Sequence, residues 1–378
     1  MCRALSVAWW CVVLLLLWVV SGPPVQAAGA PSVSAQAAVV YEPQSGTLLY
    51  RKEADTKRPM ASTTKLMTAL LAAERLSPET TVRVPAKAVP VEGTQIGLAA
   101  GDTVTVRDLL AGLLLASGND AANALALLMA PTMADFADRM NEKARSLGMS
   151  HSVFVTPSGL DEGEHGASAR DMAVLGAAVL EQPVLAELCA ATTATVTVAG
   201  RRMTLTNHNK LLRLVDGCVG LKTGFTRQAG RCLVSAVRRD GITLIAVTLH
   251  APDDWDDHAA LYDYAFSQVR QEALPSVSPA VCPVAGGTRS SVPLTCRLPS
   301  HGILLAGEAL TARVYLPAFV WAEVSQGQVL GEVRYTAGDR LICAVPLQAA
   351  QTVPARPQPS FWTLVWRRLG QLMDGLLT

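Results

Sequence analysis

The stretch that most limits the fold runs from Val219 to Leu249. Val219 to Phe225, Cys232 to Arg238 and Ile242 to Leu249 are rich in β-branched and apolar residues. They are joined only by Arg227-Gln228-Ala229-Gly230 and Asp240-Gly241. Connections this short make hairpins, so the three segments form an antiparallel meander. A further hairpin is expected near the start, where Ala37 to Tyr41 and Thr47 to Arg51 flank Pro43-Gln44-Ser45-Gly46. Between these β-regions lie runs with helical spacing: Leu66 to Leu71, Asp108 to Leu115, Phe136 to Leu147, and a helix starting at Ser168 or Ala169. Thr80 to Val106 is polar and leans to β, with Gly93 and Gly101 as breaks. Together these segments make an antiparallel sheet with helices.

The 378 residues are enough for two domains, and half are hydrophobic with 17% charged, so the chain can bury a core. A net charge of +1 gives no electrostatic footprint for nucleic acid. The sequence has no Gly-rich phosphate loop and no His-Glu-x-x-His helix, which argues against phosphoryl transfer and zinc hydrolysis; no cofactor is expected. Arg3, the apolar run Trp9 to Val20, the break Ser21-Gly22-Pro23-Pro24 and Val25-Gln26-Ala27 read as a signal peptide cut after Ala27. The body of the protein is therefore expected outside the cytoplasm, after a flexible leader over residues 28–36. Beyond the leader peptide, Cys189, Cys218, Cys232, Cys282, Cys296 and Cys343 are sparse and irregular; Cys282 and Cys296 are the expected bridge.

Three short patterns carry chemistry. In Pro59-Met60-Ala61-Ser62-Thr63-Thr64-Lys65, Ser62 and Lys65 are three apart at the head of an apolar helical run and share a face. A serine hydroxyl becomes a nucleophile when a neighbouring base takes its proton, and a desolvated lysine with a lowered pKa can be that base. In Ser117-Gly118-Asn119, between two apolar helices, a hydroxyl can relay a proton and an amide can grip a peptide carbonyl. In Lys222-Thr223-Gly224-Phe225, a cation and a hydroxyl stand on a strand, where Gly224 lets a substrate backbone approach; the pair suits a carboxylate. Each pattern alone is commonplace. Together, once each and in this order, they are not.

The three patterns have the form seen in penicillin-binding proteins and serine β-lactamases. With their flanks, Met60 to Thr68, Thr156-Pro157-Ser158-Gly159-Leu160, Ala169-Arg170-Asp171-Met172, Asn207 to Leu212 and Lys222 to Thr226, they resemble the D-alanyl-D-alanine carboxypeptidases of the low-molecular-mass penicillin-binding proteins (peptidase family S11), over roughly residues 35–270. The resemblance implies the penicillin-recognising α/β fold, an antiparallel sheet with helices beside a helical lobe, followed by a small all-β domain. It implies removal of the terminal D-alanine from peptidoglycan stem pentapeptides through an acyl-serine, with β-lactams acylating the same residue. Ser62 would be the nucleophile, Lys65 its general base and Ser117 the proton relay. Asn119, Lys222, Thr223 and Gly224 would bind substrate, and the backbone N–H groups of Ser62 and Phe225 would form the oxyanion hole. A β-lactamase of the same fold would need a glutamate to activate its deacylating water, and none can be placed. A wall-binding or penicillin-sensing module with an idle site is the non-enzyme alternative, and the intact motif residues speak against it.

One departure stands out. Some members carry an Arg after the strand corresponding to Ile242 to Leu249; here the stretch is His250-Ala251-Pro252-Asp253-Asp254-Trp255-Asp256-Asp257-His258, without one. Carboxylate binding is thus expected to rest on Lys222 and Thr223. The four Asp and two His fit no metal-ligand spacing and read as a solvated loop before a helix from Ala259 to Val269. His165, ahead of a helix in a loop that resembles family sequence near the cleft, has two readings, a residue that orients groups there and a surface histidine, and the second is preferred. The catalytic domain is expected over 37–274 and a β-domain over 275–350, with strands at Ala312 to Leu316, Val329 to Tyr335 and Leu341 to Val345. That β-domain would lift the catalytic domain off a surface. After a Pro-rich linker over 351–359, the tail 360–378 places Trp362, Val365, Trp366, Leu369 and Leu372 on one helical side and Arg367, Arg368 and Gln371 on the other. It is expected to lie in the outer face of the cytoplasmic membrane as an amphipathic anchor.

Overall fold

The structure is a computed structural model that describes residues 29–277, 281–299, 301–357 and 361–374. The signal-peptide expectation for residues 1–27 lies outside them. The chain divides into two compact units at Gln268/Val269.

In the first unit, β1 (Ala37–Glu42) and β2 (Thr47–Lys52) form the expected hairpin, with Glu42 capping the turn by accepting from Gln44 N and Ser45 N. The nucleophile segment follows as a 3-10 turn, Ala61–Thr64, running into the helix Lys65–Arg75. Next come β3 (Thr81–Arg83), β4 (Thr103–Thr105) and the helices Val106–Leu114, Asn119–Met129 and Met133–Ser146. The helix Ala169–Leu180 is N-capped by Ser168, whose hydroxyl accepts from Asp171 N. After the helix Pro183–Ala190, the hairpin of β5 (Thr193–Val198) and β6 (Arg201–Thr206) completes a small sheet in the order β3-β4-β5-β6. The meander is as read: β7 (Cys218–Thr226), β8 (Gly230–Arg239) and β9 (Ile242–Leu249), antiparallel throughout.

The main sheet has the order β2-β1-β9-β8-β7, so β9 lies at its centre and β7 at its edge. Seven of the eight residues of β9 are buried, which fits a strand covered on both faces. Helix Ala169–Leu180 packs on β1 and β9 on one face; helix Asp254–Ser267 packs on β8 and β9. Gly176 permits the first contact: a Cβ there would meet Leu221, Val234 and Ile245 at 3.1–3.3 Å.

The run from His250 to His258 differs from the solvated loop expected. The helix begins at Asp254, and Asp254, Asp257 and His258 are buried. Asp257 accepts from Ser34 N, Ser34 Oγ and Ala35 N, tying the leader to the helix. His258 sits between Ser235 Oγ (2.7 Å) and Thr248 Oγ1 (2.9 Å) and is held neutral by burial, with its pKa near 3. No cluster of metal-ligating side chains occurs among the described residues.

The second unit takes in β10 (Val269–Ala273), six residues earlier than the Leu274/Pro275 boundary read from composition. The reason is pairing: β10 runs antiparallel to β13 (His301–Leu305). Around this pair, β11 (Val281–Ala285), β12 (Ser291–Thr295), β14 (Leu310–Tyr315), β15 (Val320–Trp321), β16 (Val329–Ala337) and β17 (Arg340–Ala349) form a six-stranded sheet. Its core gathers Val292, Val324, Val333, Tyr335 and Val353. The Cys282–Cys296 bridge is not formed, and both thiols are free. The register explains it: Val292 stands opposite Cys282, leaving Cys296 four residues further along, about 13 Å at strand rise. A disulfide needs Cα atoms within about 7 Å. The tail forms a helix over Phe361–Asp374.

Candidate active site

The turn Ala61–Thr64 is set by local hydrogen bonds. Thr63 Oγ1 donates to Met60 O (2.6 Å) and Thr64 Oγ1 to Ala61 O (2.8 Å), while Ala61 is held at φ +48°, a region costly for a residue with a Cβ. Strain of this kind persists only where surroundings over-determine it. Here Gly159 supplies room, since a Cβ on it would lie 1.9 Å from Ala61 O. On the other side β7 presses against the turn, and a Cβ on Gly224 would fall 2.9 Å from Ser62 N and 3.0 Å from Thr63 N. The glycine of Lys-Thr-Gly thus serves the nucleophile's own backbone first.

Lys65, the first residue of its helix, is buried, and its Nζ lies 2.8 Å from Ser62 Oγ, 2.7 Å from Asn119 Oδ1 and 2.6 Å from Ser158 O. Burial, reinforced by the nearby positive Lys222 and opposed by Asp120, drives its pKa well below the ordinary lysine range. A neutral amine has two N–H donors and one lone pair. When Lys65 is neutral, Asn119 Oδ1 and Ser158 O can take both donors and the lone pair then faces Ser62 Oγ. That is the geometry of a base beside a nucleophile.

Asn119 opens its helix and is fixed at both ends: Oδ1 receives Lys65, and Nδ2 donates to Glu92 O at 2.6 Å, leaving one amide hydrogen unspent. Its neighbour Asp120, buried, accepts from the N–H groups of Ile96, Gly97 and Leu98 at 2.9–3.1 Å and pins the loop that carries Thr94. Ser117 sits at φ +60°, and its hydroxyl has no hydrogen-bond partner among the described residues.

One cleft of about 340 Å³ is lined by Ser62, Thr94, Ser117, His208, Lys210, Thr223, Gly224, Phe225, Arg231, Asp254 and Trp255. The predicted residues Ser62, Ser117, Thr223, Gly224 and Phe225 therefore share one wall space, Lys65 joins it through Ser62, and Asn119 through Lys65. Lys222 is buried, donates to Thr223 O at 2.9 Å, and has its pKa pushed down to about 7 by burial.

Sequence reasoning missed two residues and misplaced one. Asp120 carried no signal beyond its place at a helix start, and Arg231 fell between a turn and a strand. His165 is a buried residue, not a surface one. Its Nδ1 accepts from Val155 N (3.0 Å), so the proton sits on Nε2, which donates to Thr64 Oγ1 (2.8 Å). Thr64 in turn holds Ala61 O. Burial lowers the His165 pKa to about 4, so the ring is a neutral pin under the nucleophile turn.

Residues 24–253 match the D-alanyl-D-alanine carboxypeptidase family of peptidases, and residues 281–355 match the C-terminal domain of penicillin-binding protein 5. The chain belongs to the D-alanyl-D-alanine carboxypeptidase family. Among curated proteins it is similar to D-alanyl-D-alanine carboxypeptidase DacF of Bacillus subtilis, 29% identical over 354 residues that cover 89% of each chain. It is also similar to D-alanyl-D-alanine carboxypeptidase DacB2 of Mycobacterium tuberculosis, 35% identical over 67% of this chain and 90% of that one. Among solved structures, penicillin-binding protein 5 from Haemophilus influenzae superposes with a TM-score of 0.70 at 27% identity, over 86% of this chain and 98% of that chain. The fold expected from the resemblance, a penicillin-recognising domain followed by a β-domain, is the fold of the family.

Proposed function

We propose that the chain performs the carboxypeptidase reaction of its family on peptidoglycan stem peptides ending in D-alanyl-D-alanine, through an acyl-enzyme on Ser62. Ser62 Oγ attacks the carbonyl carbon of the terminal peptide bond while its proton passes to the Lys65 Nζ lone pair. The tetrahedral oxyanion is received by the backbone N–H groups of Ser62 and Phe225. The C–N bond then breaks, the leaving amine takes a proton by way of Ser117, and D-alanine departs. Water then attacks the ester and gives up a proton to Lys65, the C–Oγ bond breaks to release the shortened peptide as its acid, and Ser62 Oγ takes that proton and is regenerated. Asn119 aligns the peptide with its remaining amide hydrogen, and Lys222 and Thr223 take up the terminal carboxylate. The observation that carries this reading is the 2.8 Å approach of a buried, pKa-depressed Lys65 to Ser62. A β-lactam presents the same carbonyl and carboxylate and acylates the same oxygen.

The reaction belongs outside the cytoplasm, which the signal-peptide reading of residues 1–27 supports. No single described helix is long and apolar enough to cross a membrane. The tail helix Phe361–Asp374 is instead read as lying in the membrane interface; Trp366 and Leu369, both exposed on it, support that reading.

Two measurements test the proposal. Intact mass after mixing with benzylpenicillin should rise by one penicilloyl group, and D-alanine should be released from a synthetic pentapeptide; Ser62→Ala should do neither. Turnover that survives Ser62→Ala would overturn it.

A further inference from the structure

The cleft contains a cation that the motifs do not include. Arg231, the second residue of β8, stands directly opposite Phe225 in the β7–β8 register, two residues from the pairing of Leu233 with Thr223. It lines the cleft with Ser62 and Thr223, and its side chain is 40% exposed. Behind it the carboxylate of Asp254 is almost fully buried, and both Nε (2.9 Å) and Nη2 (2.5 Å) of Arg231 donate to a single oxygen, Oδ1. The guanidinium also stands 5.2 Å from the centroid of the Trp255 ring. A guanidinium has five N–H donors in a rigid fork, so three remain after Asp254 is satisfied. A buried acid and an aromatic ring thus hold an arginine in one orientation at the cleft wall.

The cation of the Lys-Thr-Gly motif is placed differently. Lys222 is buried, spends a donor on Thr223 O, is not among the residues that line the cleft, and has its pKa pushed down to about 7 by burial, so it offers the cleft only a partial charge. Thr223 contributes a neutral hydroxyl. The segment after β9, where some family members carry an arginine, has none. What it has is Asp254 and Trp255, the two residues that fix Arg231.

We infer that Arg231, oriented by Asp254 and Trp255, receives the terminal carboxylate of the substrate, so that a cation on β8 takes the place of the missing arginine beyond β9. The inference rests on the acyl-serine reading above and makes Arg231 a specificity-determining residue: it contacts the carboxylate and not the reacting carbon. Its contribution is to substrates that carry that charge.

The test compares two peptides that differ only at the end, one with a free C-terminal carboxylate and one with a C-terminal carboxamide, on the full chain and on Arg231→Gln and Arg231→Lys. Loss of a charge-assisted bond predicts that Arg231→Gln lowers kcat/KM for the carboxylate peptide about 10- to 100-fold, mostly through KM. The carboxamide peptide should change by less than about 3-fold, so the preference between the two collapses. Arg231→Lys, which keeps the charge without the fork, should recover part of the preference. Benzylpenicillin and its methyl ester give the same comparison by rate of acylation. If Arg231→Gln slows both peptides equally, or lowers the unfolding temperature without changing the preference, Arg231 only ties β8 to the following helix and the inference fails. An unchanged preference in a well-folded variant also overturns it. If the wild type neither releases D-alanine nor takes a penicilloyl group, the acyl-serine reading itself has failed, and the inference falls with it.

Discussion

The two units of the chain bury different chemistry. The described core of the second unit, around Val292, Val333, Tyr335 and Val353, is apolar apart from the Tyr335 hydroxyl, which reaches Pro275 O at 2.8 Å. The first unit buries lysines, carboxylates, histidines and hydroxyls: Lys65, Lys222, Asp120, Asp171, Asp254, Asp257, His165 and His258 among them. A buried polar group costs free energy unless it is satisfied, and a buried charge costs more. The first unit accepts that cost in several places, and one of them is the nucleophile turn: Lys65 bonds Ser62, Asn119 bonds Lys65, His165 bonds Thr64, and Asp254 holds Arg231 at the cleft wall. The contrast teaches where to look for chemistry in a two-unit chain: where the interior is polar and buried lysines, carboxylates and histidines are held by hydrogen bonds.

The sharpest way to break the contrast is at the reacting pair. Ser62→Ala should abolish acylation by benzylpenicillin, a loss of roughly 10⁴-fold or more read by intact mass. Lys65→Ala should come close to it, because the remaining groups cannot take the serine proton. A residual rate within about 10-fold of wild type would remove Lys65 from the role of base.

The pH profile of kcat/KM should be bell-shaped. It rises with pH as Lys65 loses its proton and becomes a base. It falls as pH climbs through about 7, where Lys222 loses the charge that helps hold the carboxylate. Lys222→Arg, which cannot deprotonate, should move the falling limb to higher pH; an unmoved limb would assign it to another group.

Stability should show the same asymmetry, on a smaller scale. His165 is neutral in the fold, with its pKa lowered from 6.5 to about 4, so the unfolded chain binds the extra proton first. The stabilisation is complete above the unfolded pKa and is lost as pH falls from about 6.5 toward 4, at most about 3 kcal/mol. His258 adds to the trend down to about 3. His165→Gln should flatten that part of the curve in urea titrations while lowering stability at pH 8. The mildest change is expected in the second unit: Tyr335→Phe removes one hydrogen bond, worth about 1 kcal/mol, and should leave acylation within 2-fold.

The sequence disclosed this asymmetry unevenly. Ser62 and Lys65 are legible because three residues fix their separation whatever the rest of the chain does. The meander is legible because its connections are too short for another topology. Arg231 is not: its role depends on a β7–β8 register that puts it opposite Phe225 and on a carboxylate 23 residues later, and neither is local. His165 was read as exposed because a loop histidine usually is; its burial comes from Thr64, 101 residues away. The Asp-rich run before the last helix of the first unit looked solvated by composition, yet Asp257 closes on Ser34, 223 residues earlier. The small sheet with β5 and β6 went unread, since Thr193 to Thr206 alternates without a hydrophobic face strong enough to announce itself. The Cys282–Cys296 bridge failed for a related reason: closeness in sequence says little where hairpin register sets the partner.

Gly224 has one more consequence. Ser62 and Gly224 are separated by about 160 residues, yet the backbone at Ser62 is shaped by the absence of a side chain at Gly224. The nucleophile and its base are neighbours along the chain from the moment they are made, but the wall that completes their surroundings arrives only when β7 has docked. Covalent labelling by a β-lactam is therefore a gauge of assembly. A molecule whose edge strand has come away should be silent toward the drug, and should regain its full rate when the strand returns.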